Sequence, residues 1–231
     1  MDKKYKLTEE TINVNGITLY RIEALKDFAN VKKGDKGGFV EKESNLSQSG
    51  DCWVYHNAEV FGNAEVFGNA KVCGNAVVSG NAKVYGNAVV CDYAKVRNEA
   101  KVRDDAVVCG TARVYGNARV YANAIISGKA VVSDRAVVFG NAEVFGNAEI
   151  YGDAIVYGYA QVYNNARIYG DAFVYDNAEV CGDAFVYGNA EVCGKAVVRD
   201  NAEVYGCARV CNDAEVCDDA EVFDNAIVCD D

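Results

Sequence analysis

With 231 residues, no proline and ten cysteines of which no two are spaced C-x-x-C, the chain has neither a Pro-rich linker nor zinc-ribbon spacing. A net charge of −11 argues against a surface that holds polyanions along its length and for an acidic, solubilising one. No apolar run reaches membrane length, and the opening MDKKYKLTEE lacks the apolar core of a secretion signal, so a cytoplasmic location without membrane contact is expected.

Residues 1–51 hold nine basic and nine acidic side chains and read as an N-terminal cap. In TINVNGITLYRI, Asn15-Gly16 sits between two alternating apolar runs, the signature of a β-hairpin with a type I′ turn. IEALKDFANV reads as a short helical turn and KKGDKGG as a loop. Val40, Leu46 and Cys52 then fall at the six-residue spacing of the alanines that follow.

Residues 52–231, with 14 basic and 25 acidic side chains, are one long repeat. Val recurs every sixth residue from Val54 to Val228, thirty times, with only Ile126, Ile150 and Ile168 replacing it. Ala recurs at every step from Ala58 to Ala226. Such a fixed period predicts a solenoid. In the unit AKVYGN, Ala and Val are two apart and share a strand face, while Lys and Tyr take the other. Gly and Asn tolerate positive φ and supply a corner. Each unit therefore reads as a four-residue strand and a tight turn. A helix is excluded, because a six-residue period would scatter Val around its cylinder.

This pattern resembles the hexapeptide-repeat proteins, over roughly residues 40–231. More narrowly it is similar to the GNA-rich hexapeptide proteins of phages and prophages, which share an opening like DFANVKKGDKGGFVEKESNLSQSGDCWVY. The resemblance implies an all-β fold: a left-handed parallel β-helix with three hexapeptides per triangular coil. One departure is clear. The family commonly places Gly directly after the aliphatic residue, and here a bulky residue stands there, with Gly one place on. Thirty repeats then make ten coils, a rod of roughly 48 Å at about 4.8 Å per coil. Corner asparagines are expected to form amide ladders.

Residues 18 apart should stack, so the slot after Val makes three outward columns. The first face runs from Tyr55 through Cys73, Cys91 and Cys109 to Cys217. The second runs Phe61, Ser79, Arg97, Tyr115, Ser133, Tyr151, Tyr169, Tyr187, Tyr205, Phe223. The third runs from Phe67 to Cys229 through Phe139, Tyr157 and Tyr175. Sixteen of the thirty residues are aromatic, which places most of the aromatic content outside. On the third face, Val137, Ile155 and Phe173 lie beside Phe139, Tyr157 and Tyr175. That contiguous apolar patch is expected to be a protein interface, with a second copy of the chain in a dimer or trimer as its occupant. Lys83, Lys95, Lys101 and Arg97, Arg103, Arg113, Arg119 form a basic band on the second and third faces, the candidate anion or nucleic-acid site in a chain otherwise unsuited to nucleic acid. Stacked cysteines come within disulfide range, although free thiols are expected in a reducing compartment. The acidic C-terminal cluster Asp213, Glu215, Asp218, Asp219, Glu221, Asp224, Asp230 and Asp231 would repel end-to-end stacking.

Many hexapeptide β-helices are acyltransferases, which the resemblance describes as using a His base and a looped-out segment. This chain has one histidine, His56, and no loop interrupts its repeats. A three-histidine zinc site cannot be assembled from it. The expectation is therefore a non-enzymatic structural or protein-binding scaffold without cofactor or metal, associated with a phage or prophage. The alternatives are an inhibitor of a host defence system acting as an acidic rod, and an acyltransferase-like enzyme with its site between subunits.

Overall fold

The computed structural model describes residues 3–230; Asp231 of the acidic cluster lies outside them. The chain is all-β, a solenoid of three parallel sheets with 13, 10 and 10 strands. The extra strands of the largest sheet are the cap. Strand β1 (Tyr5–Val14) pairs antiparallel with β2 (Ile17–Ala24) through the predicted hairpin, with Asn15 and Gly16 at φ 51° and 86°. Strand β3 (Lys36–Val40) pairs antiparallel with β2 and parallel with Glu59–Val60, joining the hairpin to the second face.

Two cap expectations need correction. IEALKDFANV is not helical: its first residues end β2, and an isolated bridge joins Phe28 to Val31. The KKGDKGG loop ends at Asp35, because Lys36, Gly37 and Gly38 already belong to β3. The two glycines are there for close approach. A Cβ on Gly37 would lie 2.5 Å from the Val54 carbonyl oxygen, and one on Gly38 2.5 Å from that of Ala58.

Beyond the cap, Val and Ala alternate inward as expected, and every one of them from Val54 to Val210 is buried. Adjacent coils are in register at 18 residues, for example Val90 with Val72 and Val108. The backbone polar groups run coil to coil. Glu59 N–H donates to Ala76 O at 2.9 Å, Phe61 N–H to Val78 O at 3.1 Å and Asn63 N–H to Gly80 O at 2.7 Å. The regular strands are shorter than the four residues expected. In most units only the Val and the residue before it are in a strand, because the next residue already leads into the corner.

The first coil departs from the repeat. Val40 pairs with Val60 and Leu46 with Val66, each 20 residues on, whereas Val54 pairs with Val72 after 18. Two additional residues between Leu46 and Val54 absorb the difference. Val40 and Leu46 therefore occupy the Val slot and not the Ala slot; Cys52 alone of the three takes the small-residue position, donating its N–H to Gly68 O. With this coil the rod has about eleven turns, one more than the thirty repeats imply.

The cap seals the open end. Trp53 stands in an outward slot yet is buried, because Phe28 and Tyr5 pack edge-on against it at 5.3 and 6.0 Å. Lys4 is fully buried, and its Nζ donates to the carbonyls of Cys52 (2.8 Å) and Gly50 (3.2 Å). Burial lowers the Lys4 pKa. At the other end of the described residues Ile227, on the last strand, is 71 % exposed.

Candidate interaction face

The corner residue after each strand decides what the outside presents. It precedes a position held at φ near +60° to +75°, where Gly, Asn and Asp predominate. This bend aims the side chain along the rod surface, half-buried against its neighbours one coil away. Asparagines in the next position form the expected ladders. Asn63 donates to Asn81, Asn69 to Asn87 and Asn123 to Asn141, at 3.0–3.1 Å. Where Asp occupies the positive-φ position it adds a link: Asp92 accepts from Gly110 N–H at 2.9 Å.

On the third face the structure brings all six residues of the predicted patch together. Val137, Ile155 and Phe173 are in register on adjacent strands. Beside them Phe139, Tyr157 and Tyr175 stack with centroids 5.0 Å apart and planes within 5°. All six are half-buried. The stack extends to Tyr121, whose outer face carries the guanidinium of Arg103 at 4.1 Å. Patch and basic band thus meet in one column, which runs from Arg103 to Tyr175. Desolvation by neighbouring side chains raises the Tyr157 pKa, and a hydrogen bond with Cys193 followed by burial raises that of Tyr175. Both phenols are neutral at physiological pH.

The basic band is split by a corner of the rod. Lys83, Lys101 and Arg119 are stacked in register on the third face, with Arg103 beside them. Lys95 and Arg113 are in register on the second face, with Arg97 at its corner. Lys83 pairs with Glu65 at 3.1 Å and Arg103 with Asp104 at 2.7 Å. Among the described residues the other five have no carboxylate within 4.0 Å.

Tyr159 is a residue that pattern reading missed. It replaces the usual Asn at a corner beside Tyr157 and is 64 % exposed. With Asp176, Asn177 and Lys195 it lines a shallow groove at the edge of the patch. The signal is visible in YGYA, where a ring stands in a turn slot.

The cysteine columns are close-packed. Cys211 and Cys229 are joined as a disulfide between adjacent coils, Cα atoms 4.7 Å apart, which corrects the expectation of free thiols at this pair. The other eight are free. Cys91, Asp92 and Cys109 group their ligand atoms within 4.8 Å of one another. Burial, reinforced by neighbouring Cys73 and Asp92, pushes the Cys91 thiol up to about 12, so it is protonated and a poor ligand near neutrality. His56 occupies a corner at φ 55°, and its Nδ1 accepts from Gly74 N–H at 3.2 Å, the role Asp fills elsewhere.

Three segments, residues 112–128, 148–164 and 160–175, match the family model described as the YdcK Beta solenoid repeat. A 68-residue stretch is 37 % identical to the protein named "Uncharacterized acetyltransferase YdcK" of Escherichia coli (strain K12), covering 26 % of this chain and 21 % of that relative. The match thus spans about a fifth of the relative's own length. The chain is a β-solenoid repeat protein whose repeats are, over those segments, similar to the YdcK type.

Proposed function

We propose that this solenoid is a non-enzymatic protein-binding scaffold that engages a second copy of itself through its third face. One observation carries the reading: Val137, Ile155 and Phe173 form an apolar column beside the stacked Phe139, Tyr157 and Tyr175, on a flat face that no element of the described residues covers. Flat, contiguous apolar surface of this kind is what protein interfaces use. The resemblance of the repeats to phage and prophage proteins makes an assembly role, or a rigid decoy for a host protein, the setting in which we place it.

The test is light scattering coupled to size-exclusion chromatography under reducing conditions, on wild type and on Tyr157→Glu with Phe173→Glu. A wild-type oligomer that becomes a folded monomer in the double variant supports the reading. A wild-type monomer at every concentration removes it.

The acetyltransferase name of the Escherichia coli relative motivates a second reading, an acyltransferase with a site between subunits. It requires acetyl-CoA binding by the oligomer, and calorimetry with acetyl-CoA separates the two.

A further inference from the structure

The second-face column contains a gap. From Tyr151 to Phe223 five rings stack without a break, with centroid spacings of 4.8–5.5 Å. One coil before Tyr151 the column holds Ser133, and one coil before that Tyr115. A missing rung leaves the rings of Tyr115 and Tyr151 two coils apart, about twice the usual spacing, which is the room one inserted planar ring occupies. Tyr115, Ser133 and Tyr151 line a single cleft with Arg113, Val131, Asp134 and Glu149. Its floor is closed: Ser133 is only 5 % exposed. Both walls are supported from behind, Tyr115 by the guanidinium of Arg97 at 5.7 Å and Tyr151 by the parallel ring of Tyr169 at 4.9 Å. Closing the gap would cost one of those contacts.

The two lips differ in charge. On the lip beside Tyr115 stands Arg113, with Lys95 in register one coil beyond it, and neither has a carboxylate within 4.0 Å among the described residues; Arg97 lies behind the Tyr115 ring, away from the cleft. Beside Tyr151 stands Glu149, paired through Oε2 with Arg167 at 3.4 Å, and at the corner Asp134, whose Oδ2 accepts from Gly152 N–H at 3.2 Å; the other oxygen of each carboxylate is left to accept from a ligand. A ligand that satisfies the cleft is a planar ring with a donor on one edge and an anion on the other side.

We propose that this cleft binds a mononucleotide. The base stacks between Tyr115 and Tyr151 over Ser133, its exocyclic amino group donates to Glu149 or Asp134, and its phosphate is held by Arg113, with the charge of Lys95 one coil further along the same face. Stacking between rings accepts any base face, and guanidinium groups suit phosphate oxygens. The acceptors on the far lip favour a base with an amino group over uracil. The site is independent of the third face.

Calorimetry at low salt with AMP, adenosine and UMP tests the assignment. AMP should bind wild type, with adenosine and UMP weaker. Ser133→Tyr supplies the missing rung, keeps or raises the melting temperature, and should weaken AMP binding by at least about tenfold. Arg113→Glu, on an exposed side chain, should weaken AMP more than adenosine; Ser133→Ala should retain binding. Wild type that takes up no AMP at millimolar concentration, or a folded Ser133→Tyr that binds AMP as wild type does, overturns the proposal. Equal affinity for AMP and adenosine overturns the role given to the cations.

Discussion

The ring of Tyr187 lies parallel over that of Tyr169, with centroids 4.8 Å apart and planes 1° from parallel. The coil spacing imposes this distance, because both residues leave the backbone at the same corner. Same-face pairs on neighbouring strands contribute about 0.2–1 kcal/mol each. Tyr169 stacks on Tyr151 as well. Tyr169→Ala should therefore lower unfolding stability by about 1–2 kcal/mol, and Tyr169→Phe by less than about 0.5 kcal/mol, measured by urea denaturation. Equal losses would show that the hydroxyl and not the stack matters.

The same packing makes the rod sensitive to alkali. Burial, followed by a hydrogen bond to Glu203, pushes the Tyr187 phenol up to about 12, and burial does the same to the Cys91 thiol. Both folded pKa values lie above the unfolded ones of about 10 and 8.5–9. Their stabilising contribution is whole below the unfolded pKa and is lost as pH rises through about 12. Melting temperature should be level up to about pH 9 and fall beyond it, with tyrosinate absorbance appearing late. Increasing stability across that alkaline range would contradict the assignment.

Ala122 is held at φ 57° in the corner slot that Gly, Asp and Asn fill almost everywhere else. A Cβ in the left-handed region costs roughly 1–2 kcal/mol, partly offset by the entropy glycine loses on folding. Ala122→Gly should raise stability by about 0.5–1 kcal/mol. The converse is Gly182→Val. At φ 70° its Cβ would sit 2.6 Å from Asp200 N, so a loss of at least about 2 kcal/mol is expected in chemical denaturation.

Lys4 ties the cap to the end of the solenoid through the carbonyls of Gly50 and Cys52. Lys4→Met should cost about 2 kcal/mol, since charge-assisted hydrogen bonds contribute more than neutral ones. In a repeat array the loss stays local. Hydrogen exchange should quicken at the amides of Trp53 and Tyr55 and leave those of the Tyr151–Tyr205 coils unchanged. Uniform quickening along the rod would mean that the cap governs global unfolding.

The sequence by itself determined the repeat architecture, the inward Val and Ala, the Gly-Asn corners and which residues share a column. Side-chain alternation in strands and an unbroken six-residue period fix which side chains point inward, and the columns follow once the family resemblance supplies three hexapeptides per coil. On that coil residues 18 apart stack, which placed Val137 to Tyr175 side by side. Only the tertiary structure decided the ends and the depths. Val40 and Leu46 sit at the spacing of the Ala slot, yet two additional residues before Val54 move them onto Val60 and Val66, and local pattern carries no record of which coil a strand will meet. Trp53 occupies an outward slot and is buried because Phe28 and Tyr5, distant in sequence, close over it. Ser133 was legible as a small residue in an aromatic column. That its floor is closed and its walls held apart depends on how Tyr115 and Tyr151 rest on Arg97 and Tyr169, contacts that exist only once the coils are stacked.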